Sequence, residues 1–76
     1  MKNTGSRQLV ICVRNEDYPA SLETRKIYES IPDQDAESHK QIRVIDESGD
    51  DYLYPEEYFI PVSLPKNIVQ AVIKAA

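Results

Sequence analysis

Apolar and polar positions alternate most clearly over residues 42–64, IRVIDESGDDYLYPEEYFIPVSL. A period of two is typical of half-buried β-strands, and it predicts three of them, over 42–46, 51–54 and 58–64. Gly49 takes a positive φ at little cost, which predicts a tight turn at 47–50 between the first two strands. Pro55 cannot donate to a neighbouring strand, so a 3₁₀-type corner is predicted at 55–57.

Two more strands are expected in the first half of the chain. The run 8–14, QLVICVR, is rich in β-branched residues and apolar on both faces, which predicts a strand that is central or covered by another element. The segment 22–31 fits a strand or a helix. A strand is favoured because β-branched and aromatic residues lie near its end and Pro32 follows it. The polar segment 32–41 predicts a loop, with one helical turn near 35–38.

The two ends of the chain differ in pattern. Residues 1–7 are polar and lack periodicity, so they are expected to form a disordered tail. After Pro65, apolar residues recur at helical spacing: Ile68, Val69, Val72 and Ile73. A short helix over 65–76 is therefore predicted, with Ser63 or Leu64 near its N-cap. A helix this short is marginal alone, so it is expected to pack on the sheet or on a second chain.

The length and the net charge of the chain favour some classes of function over others. The 76 residues are expected to form one domain that buries only roughly 60% of its unfolded surface, which favours a surface groove over a deep catalytic cavity. With 13 acidic and 9 basic residues, the net charge of -4 disfavours nucleic acid and favours a basic protein partner. Four residues nevertheless form a candidate basic patch: Arg14, Arg25, Lys26 and Arg43.

Cys12 is the only cysteine and lies within the apolar run 9–13. This position predicts a small buried hydrophobe rather than a nucleophile or metal ligand, and no intramolecular disulfide can form. A domain without disulfides is typical of the reducing cytoplasm. Since the apolar run is also too short to span a membrane, a soluble cytoplasmic protein is expected.

The sequence offers little catalytic chemistry. His39 is the only histidine, so no second histidine is available to complete a zinc site with it. A nucleophilic serine would likewise have only His39 as its general base. The acidic residues of the 47–50 turn lack the EF-hand spacing and are expected to be solvated: Asp46, Glu47, Asp50 and Asp51. No catalytic residue, cofactor or metal is predicted, and the chain is not expected to be an enzyme.

The tyrosines of the strand segments are more informative about function than the acidic residues or His39. They are Tyr28, Tyr52, Tyr54 and Tyr58. They either fill a small core or line a shallow groove with acidic neighbours, and the sequence leaves both interpretations open. An aromatic and acidic surface suits basic or proline-containing peptides through ring stacking and cation–π contacts. The candidate partner-binding residues are Tyr52, Tyr54, Pro55, Glu56, Glu57 and Tyr58.

The segment 54–59, YPEEYF, resembles the proline, two polar residues and tyrosine that precede the last strand of SH3 domains. The resemblance implies an SH3-like five-stranded antiparallel barrel over 8–64, with Pro55 and Tyr58 beside a peptide groove. The chain has no tryptophan and no alanine-leucine-tyrosine-aspartate-tyrosine motif, so the resemblance concerns the barrel more than the ligand. The whole chain is also similar to small bacterial proteins with the same IDESG turn and YLYP segment, from which no activity carries over.

Three hypotheses follow from these observations. The leading one is a non-enzymatic module that binds a basic or proline-containing peptide of a protein partner. The second is a small barrel associated with nucleic acid or the ribosome. The third is a structural subunit that dimerises through its C-terminal helix. The oligomeric state is left open.

Overall fold

A computed structural model describes residues 8–75 of the chain. The elements are β1 (Gln8–Cys12), β2 (Ile27–Ile31), α1 (Gln34–Ser38), β3 (Gln41–Ile45), β4 (Asp51–Pro55), a 3₁₀ turn (Glu56–Tyr58), β5 (Phe59–Val62) and α2 (Lys66–Ala75). The prediction of a mainly β fold with a short C-terminal helix is confirmed. The predicted tail over 1–7 lies outside the described residues.

The five strands form one antiparallel sheet in the order β4-β3-β2-β1-β5. Of the two predicted alternatives, central or covered by another element, β1 fits the first in that it is an interior strand, which pairs with β2 on one side and β5 on the other. The sheet is not closed, and β4 and β5 are its two edges. The antiparallel five-stranded part of the barrel prediction is therefore confirmed, and closure is not observed.

One face of the sheet carries the main core, because side chains on successive strand residues point to opposite faces. The register sets Val10 opposite Tyr28 and Pro61, and Cys12 opposite Phe59, so these side chains share that inner face. The buried residues of this core are Val10, Cys12, Leu22, Tyr28, Val44, Tyr54, Tyr58 and Phe59. Cys12 is a free, buried thiol, and burial raises its pKa.

The predicted strand over 22–31 is correct only from Ile27 onward. Leu22 is fully buried but belongs to a loop, and its carbonyl accepts a 2.9 Å hydrogen bond from the Asn15 side chain. Arg25 adopts a positive φ of 72°, and its N–H donates to the Cys12 carbonyl at 2.7 Å. This left-handed residue turns the chain into β2, so the strand cannot begin earlier.

The turn predictions hold with small shifts. Asp33 caps α1 by accepting a 3.0 Å hydrogen bond from the Ala36 N–H, which explains the single helical turn. Gly49 has a φ of +88° in the turn between β3 and β4. Pro55 forms the last residue of β4 rather than the first residue after it, since it pairs with Gln41 at the edge of the sheet.

Helix α2 lies over the outer face of the sheet. Its Val72 and Ile73 border the same cavity as Leu9, Ile27 and Ile45. Leu9 is almost fully buried, whereas no residue of α2 is. The Pro65 carbonyl accepts from the N–H groups of Ile68 and Val69, so the helix begins after Pro65 and its N-cap lies one residue after Leu64 and two after Ser63.

Candidate functional site

The six predicted partner-binding residues do not share one exposed surface. Tyr52 is 55% exposed, whereas Tyr54 and Tyr58 are only 2% and 3% exposed and belong to the core. Glu56 and Glu57 are exposed at the 3₁₀ turn, and Pro55 is half-buried. The open question of core or surface therefore has a different answer for Tyr52 than for the two buried rings.

Tyr18 supplies a second exposed ring, which the predicted site did not include. It lies in the loop between β1 and β2, and 38% of its surface is exposed. Its ring packs edge-on against Tyr54, with centroids 4.9 Å apart, and against Tyr58 at 6.2 Å. Only Asp17 and Pro19 beside it, which predict a loop, marked this position in the sequence.

Tyr18 and Tyr52 border a groove of about 430 Å³ between the β1–β2 loop and the β3–β4 hairpin. We call it the tyrosine groove, and its lining residues are Tyr18, Ser21, Asp46, Ser48, Tyr52, Leu53 and Tyr54. The β1–β2 loop is held against the hairpin by a 3.0 Å hydrogen bond from the Glu47 N–H to the Ser21 carbonyl. The groove therefore has an aromatic wall on each of two elements that are bonded together.

A buried carboxylate, Asp46, anchors the hairpin side of the tyrosine groove. It accepts hydrogen bonds from the Ser48 N–H at 2.9 Å, from the Ser48 hydroxyl at 2.5 Å and from the Tyr54 hydroxyl. Burial raises the pKa of the Asp46 carboxyl, but these hydrogen bonds outweigh burial and hold that pKa below its usual value. The expectation that Asp46 is a solvated turn residue is wrong, because the Tyr54 hydroxyl needs an acceptor in the interior.

Two other tyrosine hydroxyls are also used within the fold. The Tyr28 hydroxyl donates to Glu47 at 2.6 Å and accepts from the Glu23 N–H at 2.7 Å. The pKa of Tyr28 is raised, mainly by burial and to a smaller extent by the hydrogen bond to Glu47. The Tyr58 hydroxyl donates to Asp17 at 3.1 Å. These contacts assign both side chains to the core and to loop anchoring.

Three members of the candidate basic patch are paired with carboxylates. Arg14 lies over the Tyr58 ring at 5.6 Å and forms ion pairs with Glu16 and Glu57 at 3.0 and 3.4 Å. Lys26 pairs with Glu47 at 2.5 Å, and Arg43 pairs with Asp33 and Asp51 at 2.8 and 2.9 Å. Exposed pairs of this kind contribute little stability, but they neutralise much of the patch.

A second groove, of about 530 Å³, is lined by residues of α1, the 3₁₀ turn and strands β1, β2, β3 and β5. We call it the edge groove, and the lining residues that concern us are Val10, Ser30, Glu37, Glu56, Phe59 and Pro61. Glu56 therefore faces a different groove from Tyr52. Sequence reasoning missed the edge groove because α1 and β5 are distant in sequence and meet only through the sheet.

Neither a metal-binding cluster nor a membrane-spanning helix is found in the part of the chain that the structure describes. Residues 8–75 contain no group of three or more His, Cys, Asp or Glu side chains placed to hold a metal ion. His39 is exposed, and its Nδ1 lies 2.9 Å from the Asp35 carbonyl. None of the helices within 8–75 has the length and apolar character needed to cross a membrane.

Comparison with protein-family models, with curated proteins and with solved structures finds no match to this chain. The resemblance to SH3 domains therefore stays a prediction from the sequence segment quoted above.

Proposed function

We propose that this chain is a small, non-enzymatic, SH3-like module that binds a peptide of a protein partner in the tyrosine groove. The observation that carries the proposal is the pair of exposed rings, Tyr18 and Tyr52, on two elements that are bonded together. Buried Tyr54 supports the Tyr18 ring from below. Aromatic rings held in this way give a large contact area at a small entropic cost.

The SH3-like part of the proposal is supported by the order of the elements. The chain forms five antiparallel strands, and a 3₁₀ turn, Glu56–Tyr58, immediately precedes the last of them. A closed barrel would require the edges of β4 and β5 to meet across this turn. The proposed function needs only the groove, so it does not depend on closure.

The chemistry of the tyrosine groove favours an extended peptide with prolines or basic residues. A proline ring stacks on tyrosine and costs little conformational entropy, because the polyproline helix is already extended. A lysine or arginine makes cation–π contacts with the same rings, and the exposed Asp50 lies on the bordering turn. A shallow groove on so small a domain implies a weak, transient complex.

A peptide titration followed by amide NMR tests the proposal. We expect proline-rich or basic peptides to shift the amide signals of Tyr18, Tyr52 and Tyr54. Tyr52→Ala should weaken binding about tenfold, whereas Tyr52→Phe keeps the ring and should bind nearly as well. If no peptide from either class shifts these signals, or if both variants bind like the parent, the tyrosine groove is not the binding site.

One observation favours the third hypothesis, a subunit that dimerises through its C-terminal helix. Ile68 remains 42% exposed, and α2 contributes no buried residue. The mass in solution, measured with and without the residues after Pro65, tests this hypothesis. A dimer that becomes a monomer on truncation supports it, and an unchanged monomer counts against it.

The ion pairs of Arg14, Lys26 and Arg43 reduce the support for nucleic-acid binding.

A further inference from the structure

The free edge of β5 has hydrogen-bond acceptors but lacks donors. The Val13 N–H donates to the Tyr58 carbonyl at 2.8 Å. Because bonded and non-bonded residues alternate in an antiparallel pair, Phe59 and Pro61 direct their backbone groups away from β1. The Phe59 N–H is already used by the Glu56 carbonyl, and Pro61 has no N–H. This edge therefore disfavours addition of another strand and favours a ligand that only donates.

Phe59 and Pro61 also line the edge groove, where carboxylates supply further acceptors. Glu37 and Glu56 are exposed there, and within residues 8–75 neither forms an ion pair. Among the described residues of the lining, Arg43 is the one cation, and it is compensated because its guanidinium is held between Asp33 and Asp51. The charge summed over the described lining residues is therefore negative, and it favours a cationic ligand.

Ser30 gives the groove a polar group below its rim. The residue is only 6% exposed, and its hydroxyl makes one long hydrogen bond in the described structure, 3.5 Å to the Gln8 carbonyl. A contact of this length is at the outer limit of a hydrogen bond. The hydroxyl therefore keeps an acceptor lone pair for a donor that enters the groove.

We infer that the edge groove binds an arginine side chain of a protein partner. The apolar floor, which includes Val10, Phe59 and Pro61, is suited to the alkyl part of the side chain. The guanidinium has five donors and no acceptor, which matches the acceptor-only carboxylates of Glu37 and Glu56 in the groove lining. This site is separate from the tyrosine groove, and the inference does not rest on the function proposed above.

Amide NMR titration with the capped tripeptide Ala-Arg-Ala tests the inference. The same peptide with citrulline, which has nearly the same shape but no charge, is the control ligand. We expect saturable shifts at Ser30, Glu37 and Phe59 that weaken as salt is added. Glu37→Gln and Glu56→Gln should each weaken binding about fivefold, as expected for exposed ion pairs. The control variant Glu23→Gln removes an exposed carboxylate outside the groove and should leave binding unchanged.

Several results would overturn the arginine site. Citrulline and arginine peptides of equal affinity would exclude recognition of charge, and a lysine peptide of equal affinity would exclude the preference for a guanidinium. Unchanged binding in both glutamine variants would place the peptide elsewhere. Tyr52→Ala should leave arginine binding intact; if it abolishes binding, the peptide occupies the tyrosine groove instead.

Discussion

The hydrogen bond between Asp46 and Tyr54 should be a large single contribution to stability. Replacing Asp46 by alanine removes a carboxylate that accepts three hydrogen bonds and leaves the buried Tyr54 hydroxyl without its acceptor. Hydrogen bonds to charged groups are worth about 1.5–3 kcal/mol each, and a buried unsatisfied donor costs about 1–3 kcal/mol. These contributions overlap, so we expect a loss of about 3 kcal/mol in the free energy of unfolding.

A double-mutant cycle separates this contact from general damage to the hairpin. Tyr54→Phe should cost about 1–2 kcal/mol, and the two changes together should cost about 1–2 kcal/mol less than their sum. At about 4–8 °C per kcal/mol for a domain of this size, Asp46→Ala lowers Tm by about 12–24 °C. Urea unfolding followed by circular dichroism gives the free energies, with Asp50→Ala and Tyr52→Phe as exposed controls on the same hairpin.

The pH dependence checks the same contact independently. The folded pKa of Asp46 is below its usual 3.8, so its stabilising effect is present above that value and is lost as pH falls through the folded pKa. The difference in stability between the parent and Asp46→Ala should therefore shrink in acid. A coupling energy of zero, or a loss from Asp46→Ala no larger than that from Asp50→Ala, would refute the reasoning.

Three further predictions concern other parts of the fold. Lys40 has a positive φ of 59°, so Lys40→Gly should raise the free energy of unfolding by up to about 1 kcal/mol, whereas Lys40→Ala keeps the strain and should not; urea unfolding distinguishes them. Burial and Asp46 raise the pKa of Tyr54 to about 12 from 10.0, so its stabilisation is complete below pH 10.0 and is lost as pH rises towards about 12. Phenolate absorbance should show this late titration, and Tyr54→Phe should remove it. Cys12 is buried, so a thiol reagent should label it only as fast as the protein opens, and labelling at the full rate of an unfolded thiol would contradict its burial.

The hairpin was predictable from sequence because its signals are local. Alternation fixes which residues of β3 and β4 share a face, and Gly49 fixes the turn. The start of β2 was not predictable, because an apolar Leu22 looks the same in a strand as in a loop that folds over the core. What excludes it from the strand is the left-handed conformation of Arg25, a residue type that rarely adopts a positive φ.

The site was predictable only in part. Tyrosine is both apolar and polar, so alternation places Tyr52 and Tyr54 on one face but does not say how far the core extends along it. Tyr54 lies over the core, and Tyr52 lies beyond the edge of the core. The position of that edge depends on where the β1–β2 loop packs. Tyr18 joins the site through that same loop, by contacts across the fold that no spacing in the sequence encodes.

The size of the domain explains why much of its acidity is not available to a partner. A core this small uses tyrosine rings as filling, and each buried phenol then needs an acceptor. The acceptors are carboxylates from loops and turns, in the pairs Tyr28 with Glu47, Tyr54 with Asp46 and Tyr58 with Asp17. Other carboxylates hold Arg14 and Arg43 in ion pairs. Recognition of a cation therefore falls to carboxylates without a structural contact of this kind, and Glu37 and Glu56 meet that condition within residues 8–75 while facing a groove.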